Sequence, residues 1–244
     1  MHTAIQLYTI RELERPLPEL LEAVADTPLE GVEFAGLDGT DPTDVAATLE
    51  GTGLEAVAAH AQREELEAGA EELTQSYATL GCDRIVLSWL DPEAFATSEA
   101  VESTADLLAE LGERVADGGG SFAYHNHDQE FTTLESGRDA LDVLWEHLEG
   151  EPVDIQLDAG WAVAAGRDPV ALLERYGDRI DLLHLKDVDG DEPCGLGEGD
   201  LPLEACVDAA RAADVEWLIY EYDDPEDPAR ALERDSAVMA SLLE

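Results

Sequence analysis

The sequence predicts an α/β fold, a single (β/α)8 TIM barrel filling residues 1–244 as one domain, and three observations carry that prediction. Eight short apolar segments alternate with eight longer segments of helical periodicity. Most of the short segments are continuous apolar runs, the pattern of parallel strands with helices over one face and a core against the other. Eight such units in ~250 residues is the count and size of a closed barrel. A doubly wound open sheet is the second choice, and no G-x-G-x-x-G follows the first strand to support it.

Taken in order, residues 5–8 read as a strand and 16–26 as a helix, with Pro16 near its start and Leu17, Leu20, Leu21 and Val24 on one face. Residues 31–34 form the second strand, and Asp41-Pro42 caps a helix that Gly51 or Gly53 ends. A third strand over 54–60 precedes a helix over about 64–80, and a fourth over 84–89 precedes a helix that Ser98 caps. The fifth strand, 121–125, is followed by a long loop and a helix near 137–148. The sixth strand spans 153–157, and Asp168-Pro169 caps the helix that ends at Gly177. The seventh strand, 180–185, runs into a glycine-rich loop to Gly199 and a helix over 202–213. The eighth strand spans 217–220, and Asp227-Pro228 opens the last helix.

A formal charge of −45, with 58 acids against 13 basic residues, accompanies 45% apolar residues, too many for the signature of disorder. Acids spread over every segment, with arginine in place of lysine, point to adaptation to high salt, where counter-ions screen self-repulsion. Such a surface argues against nucleic acid and anionic membranes as partners. Cys82, Cys194 and Cys206 make an odd count without metal-ligand spacing, so reduced thiols and a cytoplasmic location are expected. The N-terminus shows no basic region followed by a long apolar one, and no run approaches the ~18 apolar residues of a membrane span. A homo-oligomer is compatible with all of this.

Barrel sites form where strands end at the C-terminal face. Those positions deliver Gln6 and Tyr8, Glu33, His60, Ser88 and Trp89, His125 and His127, Asp158, His184 and Lys186, and Glu221. Four of the six histidines fall in this set, which packing alone would scatter. Lys186 is the only lysine in the chain, and strand alternation puts it on the same side as His184. Asp158, His184 and Glu221, each ending a different strand, look like ligands of one divalent ion, with Mn, Mg, Co or Zn suited to mixed carboxylate and imidazole donors. Tyr8, Glu33, His60, Trp89 and Trp161 are then candidate substrate contacts, the tryptophans by stacking.

Five segments in order, Tyr124-His125-Asn126-His127-Asp128-Gln129-Glu130-Phe131, Leu157-Asp158-Ala159-Gly160-Trp161, His184-Leu185-Lys186-Asp187, Gly195-Leu196-Gly197-Glu198-Gly199 and Tyr220-Glu221, resemble the sugar phosphate isomerase/epimerase branch of the xylose isomerase-like barrels. Gln6-Leu7-Tyr8-Thr9-Ile10-Arg11 and Gly31-Val32-Glu33 are similar too. The resemblance implies one divalent ion held by Glu, Asp, His and Glu from the last four strands, and Asp158, His184 and Glu221 match the last three. The fifth strand departs from it, because His125 stands in register with the expected Glu. Either His125 is the ligand or Glu130 folds back from the loop. The expectation adopted here is Glu130 as ligand, with His125 and His127, beside Glu221, as acid/base groups. The implied activity is metal-dependent isomerisation or epimerisation of a keto-sugar or sugar phosphate through an enediolate, with Lys186 supporting the oxyanion. A sugar or cyclitol dehydratase on the same centre, of the inosose dehydratase kind, is the alternative that the strand-five histidine raises, and a non-catalytic sugar-binding barrel is a third. A DNA-repair endonuclease of the same superfamily would want a basic groove that this chain lacks.

Overall fold

The computed structural model describes residues 1–243. It begins with β1 (His2–Gln6), a 3-10 turn (Leu7–Leu13), α1 (Leu17–Ala25), β2 (Gly31–Phe34), α2 (Pro42–Thr52), β3 (Glu55–Ala61), α3 (Arg63–Ala78), β4 (Arg84–Leu87), α4 (Ser98–Asp117) and β5 (Ser121–His125). The second half holds α5 (Ala140–His147), β6 (Asp154–Asp158), α6 (Ala159–Ala164), α7 (Pro169–Tyr176), β7 (Ile180–Leu185), a hairpin of β8 (Asp187–Asp189) and β9 (Glu192–Cys194), α8 (Leu203–Ala212), β10 (Trp217–Tyr220) and α9 (Pro228–Ser241). Strands β1 to β7 and β10 close into a parallel barrel, each beside its neighbour in the chain, with β10 pairing β1 across the closure. The fold is the (β/α)8 barrel that the sequence predicts.

Local chemistry accounts for several helix starts. Asp41, Asp168 and Asp227 each accept a main-chain N–H of the helix they precede, and proline follows each, as the Asp-Pro pairs indicate. At α4 the cap is Thr97, whose hydroxyl accepts from Ala100, one residue before the expected Ser98. Two elements exceed the sequence expectation. The chain turns directly from β6 into the short α6, because the Asp158 carboxylate caps it by accepting from Trp161 N–H at 2.8 Å. The glycine-rich stretch after β7 contains the β8–β9 hairpin and wraps around Asp187, whose buried carboxylate accepts from the N–H groups of Val188, Gly197, Gly199 and Leu201 at 2.8–3.1 Å. A Cβ on Gly199 would fall on the Val188 carbonyl and on that carboxylate, so the loop closes only around glycine.

The main core lies between the sheet and its helices. A second buried cluster is drawn only from strands, namely Ala4, Val57, Ala58, Val86, Ala123, Leu182, Trp217 and Ile219. Two residues onward, on the same face of each strand, Ala4 is followed by Gln6, Ala123 by His125, Leu182 by His184 and Ile219 by Glu221. The barrel therefore has an apolar floor and, directly above it toward the C-terminal ends, a layer of buried polar side chains. Among the described residues no helix is long and apolar enough to cross a membrane.

Candidate active site

Register builds the centre of this layer. Asp158 on β6 pairs with His184 on β7, Gln156 pairs with His125 on β5, and Gln6 on β1 pairs with Glu33 on β2. Glu221 follows β10 and is tied to β7 by its N–H to Leu185 O at 3.3 Å. Asn126 holds β5 beside β6 as a mimic of a main-chain pair: its Oδ1 accepts Asp158 N–H at 2.9 Å, and its amide donates to Asp158 O at 3.3 Å.

One ligand atom from each of His125, Asp158, His184 and Glu221 lies within 4.8 Å of the others, and all four residues are buried. Asp158 Oδ2 accepts no hydrogen bond. Its nearest basic groups are Lys186 Nζ at 3.5 Å and His125 Nε2 at 3.8 Å. A buried carboxylate oxygen without a hydrogen bond is costly, and a divalent ion among two imidazoles and two carboxylates would satisfy it, so the donor set fits such an ion. His60, His125 and His184 form a second possible group, but His60 Nε2 is already 2.7 Å from Gln156 Oε1 and 3.2 Å from Glu33 Oε2.

Electrostatics sort the roles. Burial opposes the charged form of Lys186, yet Glu221 at 3.1 Å, Asp158, and Asp223 at 3.0 Å outweigh it and keep the ammonium protonated. Burial also opposes protonation of His184, but Glu33 Oε2 at 2.7 Å and Glu221 Oε2 at 3.0 Å raise it to about 10. Burial lowers His127 to about 3, with Lys186 adding to the effect, so that ring is neutral, and its Nδ1 has no partner. Burial, then neighbouring imidazoles, hold His125 well below the usual range. Asp158 is pushed up to about 6 by burial, against Lys186 and His184.

A cleft of about 690 Å³ opens above this layer. It is lined by Tyr8, His60, Trp89, His125, His127, Trp161, Lys186 and Glu221, all expected at the site from the sequence. Tyr8 and Trp89 are the exposed large aromatics, at 42% and 41%, and flank its mouth. The Trp161 ring lies 4.8 Å from Lys186 Nζ.

Two expectations need correction. Glu130 does not turn toward the donors: its carboxylate takes the Tyr124 hydroxyl and accepts His127 N–H at 2.9 Å, which fixes the loop after β5. The residue that β5 brings to the cluster is His125, because strand alternation above Ala123 puts its ring into the barrel. Glu33, expected against substrate, is fully buried one layer below the cleft, its oxygens facing Gln6, His60, Gln156 and His184. Gln156, at the middle of that layer, was not singled out, although alternation from Asp158 places it on the same face.

A family model for xylose isomerase-like TIM barrels matches residues 21–242. The chain belongs to that family. Among curated relatives, the rhizopine catabolism protein MocC of Rhizobium meliloti is 37% identical over 103 residues, 42% of this chain and 30% of that protein. The inosose dehydratase of Clostridium tetani is 27% identical over 164 residues, 59% of this chain and 53% of that protein. The matched stretch thus spans 30% and 53% of the length of these two relatives. A sugar phosphate isomerase/epimerase from Parabacteroides distasonis superposes with a TM-score of 0.87 at 18% identity over 98% of both chains. The IolI protein, whose crystal structure holds a zinc atom, superposes at 0.81 with 18% identity over 100% of this chain and 98% of its own. At such identities these two likenesses concern the fold.

Proposed function

We propose that this barrel is a divalent-metal-dependent enzyme that removes the proton beside the carbonyl of a keto-sugar or cyclitol, with loss of water as the outcome. The observation that carries the proposal is the convergence of His125, Asp158, His184 and Glu221 around the unpartnered Asp158 Oδ2, under a cleft of about 690 Å³. A divalent ion held by those four residues would supply a Lewis acid for the substrate oxygen and for its enediolate.

The remaining steps belong to the chain's own side chains. His127, a neutral imidazole lining the cleft, offers a ring nitrogen to the carbon-bound proton. Lys186 offers an ammonium to the oxygen on which charge develops, and a proton to hydroxide as the carbon–oxygen bond breaks. Trp161, beside both, walls this part of the cleft. Loss of water is favoured over epimerisation because the fifth strand brings a neutral imidazole where the resemblance expects a carboxylate. Inosose dehydratases among the relatives support the same choice.

Metal-loaded protein in D₂O with inososes, ketoses and ketose phosphates, followed by NMR, is the test. One substrate should exchange its α-proton and yield a product lacking one water. A product retaining every oxygen would replace the dehydratase with an isomerase or epimerase. Binding without exchange at full metal occupancy would leave only a sugar-binding barrel.

A further inference from the structure

A row of hydrogen bonds beneath the four donors runs from a main-chain N–H to the ring of His125, and its direction decides which nitrogen of that ring is bare. The Tyr8 N–H donates to Gln6 Oε1 at 3.0 Å, and a main-chain N–H can act only as donor. The Gln6 carboxamide is thereby oriented, and its Nε2 donates to Glu33 Oε2 at 2.8 Å. The same oxygen faces His184 Nε2 at 2.7 Å, while Glu33 Oε1 faces the Gln156 side chain. A carboxylate surrounded in this way accepts on every side, so Gln156 presents its NH₂ to Glu33 and turns its oxygen toward the histidines. That oxygen lies 2.8 Å from His125 Nδ1 and 2.7 Å from His60 Nε2. A carbonyl with two lone pairs takes both contacts when each of these nitrogens carries a proton.

We infer that Gln156 and Glu33 are positioning residues that hold His125 as its Nδ1–H tautomer, leaving the Nε2 lone pair aimed at the ion. The inference rests on the metal-dependent reading above and explains how an imidazole serves where the resemblance expects a carboxylate. His125 Nε2 stands 3.8 Å from Asp158 Oδ2, and no hydrogen bond joins them. Two lone pairs facing one another across such a gap suit a shared cation. The opposite tautomer would need Gln156 flipped and a proton on Glu33, and its Nε2–H would gain nothing in return, since Asp158 Oδ2 at 3.8 Å lies beyond hydrogen-bond reach. Partners behind the ligating atoms commonly set imidazole orientation in this way, and their loss weakens metal binding about 10–100-fold.

The test reads the tautomer directly. Metal-free protein labelled with ¹⁵N-histidine, examined by long-range ¹H–¹⁵N correlation, should show His125 with a protonated Nδ1 and a bare Nε2. In Gln156→Met the Nδ1 acceptor is gone, so the proton should shift toward Nε2 and zinc affinity, measured against a chromophoric chelator, should fall about 10–100-fold. A proton on Nε2 in the wild type overturns the inference, and needs no variant to do so. Unchanged tautomer and zinc affinity in a folded Gln156→Met also overturn it. The Nδ1–H form in a protein that takes up no metal would support the tautomer assignment while defeating the proposed function, so the two failures are distinguishable.

Discussion

Replacing Glu130 with glutamine separates a loop-fixing carboxyl from a metal ligand. Glu130 is fully buried, bonded to the Tyr124 hydroxyl and to the His127 N–H. Burial pushes its pKa up from 4.5 to about 7, against the lowering effect of those two hydrogen bonds. A carboxyl raised in the folded state keeps a proton that the unfolded chain has released, so it costs stability at high pH and nothing below its unfolded value. The cost grows from pH 4.5 to about 7 and is complete above that. A gap of ~2.5 pH units at about 1.4 kcal/mol each amounts to about 3 kcal/mol. Glutamine cannot ionise, and its amide suits the same partners, with Oε1 accepting from His127 N–H and Nε2 donating to the Tyr124 oxygen.

Glu130→Gln should therefore be more stable than wild type by about 3 kcal/mol at pH 8, and by under about 1 kcal/mol at pH 5. Urea unfolding at both pH values, in fixed molar KCl to keep the acidic surface screened, measures the difference. Zinc affinity of the variant should stay within about threefold of wild type, which is less than ~1 kcal/mol. A stability difference that does not grow with pH would refute the assignment of a protonated buried carboxyl. More than a tenfold loss of zinc affinity would show that Glu130 reaches the ion after all.

Further outcomes follow from the same geometry. Asp158→Ala and Glu221→Ala should each lose divalent metal by elemental analysis, and content equal to wild type in both would remove the proposed centre. Lys186→Met should destabilise the protein by about 3–5 kcal/mol in chelator, because three carboxylates lose their buried ammonium, and by less when zinc is saturating; equal losses in the two conditions would mean that lysine and ion do not share those carboxylates. Gly160→Ala should cost about 1–3 kcal/mol in unfolding experiments, since its Cβ would overlap the Lys186 carbonyl oxygen; an unchanged midpoint would show that α6 shifts freely. With a formal charge of −45, the melting temperature should rise from low to molar KCl, and a flat series would remove high-salt adaptation as the account of the composition.

Much of this molecule was legible in its sequence because barrel strands impose a period of two and end at one face. That period alone puts Leu182, His184 and Lys186 on one side of β7, and the structure finds the first in the floor, the second among the donors and the third beside them. The Asp-Pro pairs placed three helix starts for reasons local to a few residues. The β8–β9 hairpin was not legible, since it forms around Asp187, and a carboxylate that gathers the N–H groups of Gly197, Gly199 and Leu201 from 10 to 14 residues onward leaves no local mark. The misplacement of Glu130 has the same origin. Its distance along the chain allows it to reach the centre, and the buried hydroxyl of Tyr124 together with the His127 N–H decides that it does not.

Glu33 and Gln156 carry that point furthest. Each sits where alternation predicts an inward side chain, and inward polar side chains on a barrel strand invite assignment to the substrate. What separates them from the cleft is depth: Gln156 stands two residues before Asp158 on β6, and Glu33 is capped by His60 and His184. In a barrel the floor is filled by side chains, so one step of two residues along a strand divides groups that can touch substrate from groups that can only orient those that do. In the proposed reaction the polar layer just above the floor therefore acts on substrate through the imidazoles it holds. The chain can then depart from a carboxylate on β5 without losing a ligand, provided that Gln156 and Glu33 fix the proton on the far side of the His125 ring.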